Sequence, residues 1–187
     1  MTPAELLENA KSSIDEYHLL VGEDAMAAQL KIALGEFQAR SGCTKTERLT
    51  LEEAGQGKDV GFTEDDVIFA VDKSGEYYDV NFEGSRIFVC DIDDYSEAPF
   101  NVDYAVDLRN LDTDNGVIPR KAIQPVLRYL IVLIKILNYS QVNSAYLASG
   151  MDTSELESLE SLQTQKQAIE QEMSAIKADI SPGAVFE

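Results

Sequence analysis

Apolar positions recur at helical spacing at the start of the chain, at every second residue after Cys43, and in a dense run after Ile118. The set Leu6, Leu7, Ala10, Ile14 and Tyr17 marks one face of a first helix. Thr2, Pro3 and Glu5 open it as N-cap, first-turn proline and capping-box acid. A break at Val21 and Gly22 precedes a second helix beginning at Glu23, striped by Met26, Ala27, Leu30, Ala33, Leu34 and Phe37 and stopped at Gly42. Residues 1–42 therefore predict a helical hairpin.

Over residues 43–117 the period changes to that of strands. Leu49 and Leu51 alternate with Arg48, Thr50 and Glu52 as a short strand, and the glycines and charges of the adjoining AGQGKDVG predict a loop. Further strands are expected at Val67–Val71, Tyr77–Phe82, Arg86–Cys90 and Phe100–Val106. Lys73-Ser74-Gly75, Glu83-Gly84-Ser85 and the acidic loop Asp91–Pro99 separate them, so neighbours are expected to pair as hairpins. The alternation predicts one small antiparallel sheet with a single wet face. Leu108–Val117, with Asp112, Asp114, Asn115 and Gly116, is expected to turn the chain into the apolar run that begins at Ile118.

From Ile118 to Leu137 only Arg120, Lys121, Gln124, Arg128, Tyr129 and Lys135 interrupt the apolar and proline residues of the stretch that ends at Asn138, and past Pro125 the polar points of exit are Arg128, Tyr129 and Lys135. Pro119 suits a first helical turn, and Pro125 bends or restarts the helix. The unbroken apolar part is shorter than the roughly 20 residues a bilayer needs, which predicts a core helix and not a membrane span. Tyr139 to Gly150 adds a further helical turn. Asp152 with Glu155 forms another capping box, and Leu156, Leu159, Leu162, Ile169, Met173, Ile176 and Ile180 stripe a long final helix ended by Ser181-Pro182-Gly183. Gln163, Lys166 and Gln167 crowd that seam, so it packs either on its own domain or on another chain. The tail Ala184–Glu187 either frays or inserts into a neighbour. The expected fold is α+β: mainly a helical bundle of two N-terminal helices (1–42), a central apolar helix with its connection (118–150) and a long C-terminal helix with tail (151–187), carrying a small antiparallel β insertion (43–117), as one folded domain with appendages.

Charge sharpens this picture. With 187 residues and 44% hydrophobic composition the chain can bury one moderate core, yet its net charge is −19. Such a balance argues against wrapping nucleic acid, which needs lysine and arginine in number. Between Ile118 and Met151 the sign reverses: Arg120, Lys121, Arg128 and Lys135 stand there without a single Asp or Glu. The simplest compensation for them is an acidic surface, which makes these four cations, with the apolar tail residues Val185 and Phe186, the candidate partner-binding residues.

Candidate chemistry is sparse. Cys43 and Cys90 have no CxxC spacing, which predicts neither a disulfide framework nor a zinc site and points to a reducing compartment. The N-terminus has no apolar h-region, so no secretion signal is expected. His18 is the sole histidine, no nucleophile motif accompanies it, and no phosphate-binding glycine loop occurs. Asp112-Thr-Asp114-Asn-Gly116 begins like a calcium loop, but its glycine comes one position early and Ile123 stands where the closing Glu belongs, so a plain turn is expected. Asp91, Asp93 and Asp94 read as a solvated acidic loop. No catalytic, cofactor or metal site is expected, and the protein is not expected to be an enzyme.

The order of a helical hairpin, a β insertion, a long apolar helix and a capped final helix resembles the head-to-tail connector (adaptor) proteins of tailed bacteriophages. TPAELLENAKSSI leading to AMAAQLKIALGEFQARSG is similar to that family's opening helices. RLTLEEAGQGKDV, DVIFAVDKSG, FEGSRIFV and NVDYAVDLRNLD resemble its strand-rich insertion, and IPRKAIQPVLRYLIVLIKIL its returning helix. The resemblance implies a structural virion protein at the neck, made in the host cytoplasm and forming a ring of about a dozen copies. It further implies a portal protein on one side, a tail or head-closure protein on the other, and DNA passing without sequence-specific binding or any membrane. Two other classes compete with it: an acidic mimic of DNA that inhibits a host nucleic-acid-binding protein, and a hydrolase or metal-dependent enzyme built on the acidic loops.

Overall fold

The chain runs through helices, then strands, then helices again. The computed structural model describes residues 1–14, 19–153 and 156–176, which fall into two units. One comprises Met1–Ser41 together with Asp107–Ile176, and the other Gly42–Val106.

The first unit is helical. Helix α1 (Pro3–Ser12) opens with the expected capping box, the Glu5 backbone N–H donating to Thr2 Oγ1 at 3.2 Å and the Thr2 N–H to Glu5 Oε2 at 2.9 Å. Helix α2 (Glu23–Ser41) buries Met26, Leu30, Ala33, Leu34 and Phe37, while Ala27 of the expected stripe is exposed. Helix α4 (Arg120–Ser149) packs against α1, α2 and the last helix, α5 (Leu159–Ala175). It carries Pro125 within its length and runs continuously to Gly150, whose left-handed conformation (φ 72°) closes it, so the expected separate turn after Tyr139 is part of α4. Its buried positions, among them Ala122, Val126, Leu130, Leu133 and Ile134, meet neighbours on several sides. At 30 residues it is long and apolar enough to cross a membrane, contrary to the length argument from sequence, and half of its most apolar window is buried inside the protein. Helix α5 begins later than expected: Ser158 caps it by accepting from the Ser161 N–H at 3.1 Å. The expected capping acid Glu155, and Ile180 of the stripe, lie outside the described residues.

The second unit corrects the expected fold class. The region between the helices is a β-rich unit with a core of its own, so the protein is α+β with two units and not mainly a helical bundle with a small insertion. Among the described residues its elements are β1 (Thr44–Leu49), α3 (Leu51–Gln56), β2 (Lys58–Asp59), a 3-10 turn (Glu64–Asp66), β3 (Val67–Val71), β4 (Tyr77–Tyr78), β5 (Val80–Glu83), β6 (Arg86–Val89) and β7 (Phe100–Ala105). They build two antiparallel sheets, ordered β1-β7-β3-β4 and β2-β6-β5. The expected strand Tyr77–Phe82 is divided between the two at Asp79. Hairpins do join β3 to β4 and β5 to β6, but β7 pairs with β1 and β3 instead of with β6. Leu51 belongs to no strand. Thr50 starts a helix there, accepting from the Glu53 N–H at 3.2 Å while Glu53 takes the Thr50 N–H at 2.8 Å. Leu49, Ala54, Phe62, Ala70, Ile87, Val89, Phe100 and Val102 form the shared core. Phe62 closes it at one side, stacked on Tyr104 with ring centroids 3.8 Å apart.

Candidate functional site

The four cations of the acid-free stretch all belong to α4, yet they meet different fates. Arg128 hydrogen-bonds and ion-pairs with Glu172 of α5 through NH2, both side chains being about half exposed. Lys135 reaches Glu157, just ahead of α5, with Nζ and Oε2 3.1 Å apart. Burial alone would raise the Glu157 carboxyl, but the Lys135 ammonium together with Gln165 and Ser161 holds it below the usual carboxylate value. The compensation that sequence sought on a partner is thus supplied to Arg128 and Lys135 by the same chain. Exposed pairs of this kind contribute little. Substituting Arg128 by alanine is expected to change unfolding stability by less than about 0.5 kcal/mol, read by urea denaturation.

A tighter arrangement lies beside them. Tyr129, read from sequence as a polar point of exit, is only 1% exposed, and its hydroxyl donates to Glu170 Oε1 of α5 at 2.7 Å. The same carboxylate accepts from Lys166 and pairs with Arg40 of α2 at 3.2 Å. The Lys166 ammonium also sits 5.5 Å from the centroid of the Tyr129 ring. Burial first, and then the hydrogen bond to Glu170, pushes the Tyr129 phenol up to about 12. The Glu170 carboxyl, which burial would raise, is held down by Lys166, Tyr129 and Arg40. This knot ties α2, α4 and α5 together and serves the fold. The sequence signal for half of it was the i, i+4 spacing of Lys166 and Glu170 next to Ile169 and Met173.

Arg120 and Lys121 are different. They occupy the first turn of α4, whose N-cap Pro119 gives no side-chain hydrogen bond and whose first turn contains no acid. Arg120 is exposed and Lys121 half-buried, and neither forms an ion pair with any described residue. The backbone dipole makes a helix N-terminus favourable for anions, so two cations there are placed against it, at about 0.3–1 kcal/mol each. Of the six candidate partner residues, then, two pair within the chain, with Glu172 of α5 and with Glu157 ahead of it, two have no ion-pair partner among the described residues, and Val185 and Phe186 lie outside the described residues.

The other candidates hold their own loops together. Asp112 accepts from the backbone N–H groups of Asp114 and Asn115 at 3.0 and 2.6 Å, which makes the calcium-like sequence a turn. Asp93 accepts from Tyr95 N–H at 2.9 Å and from the Ser96 hydroxyl at 3.0 Å. Among the described residues no group of three or more His, Cys, Asp or Glu side chains is gathered as metal ligands are. Cys43 is buried and Cys90 half-buried, and His18 lies outside the described residues. No known protein-family model and no curated protein matches the chain.

One acid that sequence reading passed over is central to the β-rich unit. Asp72 is 3% exposed and receives the Ser74 N–H (2.8 Å), the Ser74 hydroxyl (2.7 Å), the Glu76 N–H (3.0 Å) and the Glu97 N–H (3.0 Å). Burial by itself would raise its carboxyl. The four donors, with Glu97 foremost, outweigh that and hold it far below the ordinary carboxylate range. Through this one side chain the β3–β4 turn fastens the acidic loop before β7.

Proposed function

We propose that this protein is a structural subunit of a ring assembled from copies of itself, of the kind that joins portal to tail in a tailed-phage neck. The observation that carries the reading is electrostatic. Two cations stand without an ion-pair partner among the described residues and against the helix dipole at the start of α4, in a chain of net charge −19 whose β-rich unit alone holds sixteen carboxylates against five basic residues. Copies that bear a basic patch on one unit and acidic surface on another meet through unlike faces, and a contact between unlike faces closes into a ring when its rotation divides the circle. The order of elements supports the same reading, with two helices, an inserted β-rich unit and two returning helices. An acidic channel wall also repels phosphate and lets DNA pass.

Negative-stain imaging of the full chain, alone at high concentration and mixed with the portal protein of the virus that encodes it, is expected to show rings of about a dozen copies. A monodisperse monomer in both preparations, with no portal binding, overturns the reading. Tight, salt-sensitive binding to a basic host protein by such a monomer would put the DNA mimic in its place.

A further inference from the structure

The β-rich unit has a cleft of about 500 Å³ where its two sheets part. The chain leaves the first sheet after Tyr78 and enters the second at Val80, so Asp79 stands at the crossing, and its carbonyl accepts the Cys90 N–H at 2.8 Å. Phe69 and Tyr77, packed edge to face with centroids 5.8 Å apart, form part of the wall. Glu64, Glu76, Asp79 and Asp91 line the same cleft, all exposed, and none forms an ion pair among the described residues. No lysine or arginine lines it. Aromatic faces bordered by carboxylates suit a guanidinium or an ammonium, which stacks on the ring and is neutralised at the rim.

We infer that this cleft receives Arg120 and Lys121 from the first turn of α4 of a second copy, and is the acidic half of the contact between subunits. The inference rests on the ring reading and specifies its interface. Two independent features of the chain complement each other here: a concave aromatic and acidic surface lined by no cation, and an exposed Arg120 beside a half-buried Lys121, without an ion-pair partner among the described residues and opposed by their own helix dipole. A contact between the β-rich unit of one copy and the helical unit of the next joins unlike surfaces, so each copy offers one of each and a chain of contacts can propagate. Because the pairs lie at a solvent-exposed rim, the association weakens as salt shortens the screening length below about 10 Å.

The test uses the full chain in four forms: wild type, R120E/K121E, E76K/D79K and the combination of all four substitutions. Sedimentation at low salt is expected to show association between wild-type copies, about tenfold weaker in each double variant and restored in the combined one. Equal mixtures of isotopically light and heavy wild-type chains, coupled with a carbodiimide, are expected to give mixed-isotope crosslinks from Lys121 to Glu76 or Asp79. Rings that form undiminished in both double variants overturn this interface and leave the ring reading standing. Mixed-isotope crosslinks at this site without any ring keep the interface and remove the ring. Crosslinks confined to one isotope, or retention of duplex DNA that only R120E/K121E loses, assign the cations elsewhere and overturn the inference.

Discussion

Replacing Asp72 by alanine is expected to lower the unfolding stability of the β-rich unit by about 3 kcal/mol, measured by denaturant titration followed through its tyrosines. The side chain is 3% exposed and accepts five hydrogen bonds, three from backbone N–H groups and two from the hydroxyls of Ser74 and Tyr78. Alanine removes every acceptor at once and leaves those donors to find water or go without. Asparagine keeps the shape and one acceptor oxygen but turns an amide toward donors that need acceptors, so its cost falls between wild type and alanine. The sign of the pH effect comes from the depressed carboxyl. With a folded-state value far below the ordinary 3.8, Asp72 adds stability that is fully present above that value and disappears as pH falls beneath it. Asp72→Asn should therefore flatten the acid limb of the stability curve as well as lower its plateau.

Truncating Tyr129 to alanine is the second large effect, expected at about 3–5 kcal/mol. The ring is 1% exposed and its hydroxyl meets Glu170 of α5, so the loss includes both its buried volume and the partner of Glu170. Tyr129→Phe separates the two contributions: it keeps the ring, removes the hydroxyl, and should cost about 1 kcal/mol. The phenol is pushed up from 10.0 to about 12, so the folded form keeps its proton where the unfolded chain has lost it. Stability from this group is thus complete below pH 10.0 and declines as pH climbs toward 12. Thermal melts from about pH 9 to 12 on wild type and Y129F should show a steeper alkaline decline in the wild type.

How far the sequence could be read depended on whether the deciding partner was near or far along the chain. Thr2 and Glu5 lie three apart, and their capping box is where the pattern put it. Val67–Val71 reads as a strand because its apolar run is bounded by turn residues, and it is one. Leu49 and Leu51 misled for a local reason: their alternation is real, but Thr50 and Glu53 form a capping box across it, and the helix start prevails. In Tyr77–Phe82 the alternation continues across Asp79 while the hydrogen-bonding partner changes from β3 to β6, and a period of two carries no information about which strand is opposite. That β7 lies between β1 and β3 depends on pairings such as Thr44 with Ala105, for which no local spacing exists. The underestimate of the β-rich unit came from these missed partners, since strands counted as one edge-exposed sheet are in fact two sheets around a shared core.

The candidate site divides along the same line. The absence of acids from Ile118 to Met151 is a property of composition and is visible at once. That Glu172 and Glu157 answer Arg128 and Lys135 is not, because these acids approach only after α5 has folded back along α4. Tyr129 looked like an exit to solvent because a tyrosine in an apolar run has a polar tip, and the acid that satisfies that tip sits forty-one residues further on. What the three-dimensional arrangement adds is a distinction among four like charges: Arg128 and Lys135 pair with acids of the same chain, and Arg120 and Lys121 pair with none among the described residues.

The most direct measurement of that distinction is the mass of the wild-type chain and of R120E/K121E in solution, by sedimentation equilibrium across a series of salt concentrations. The wild type should exceed the monomer mass at low salt and return to it as salt rises, while the variant associates about tenfold more weakly at low salt and melts within about 2 °C of wild type. Identical mass distributions for the two chains at every salt concentration would contradict the claim that these cations are held by another copy.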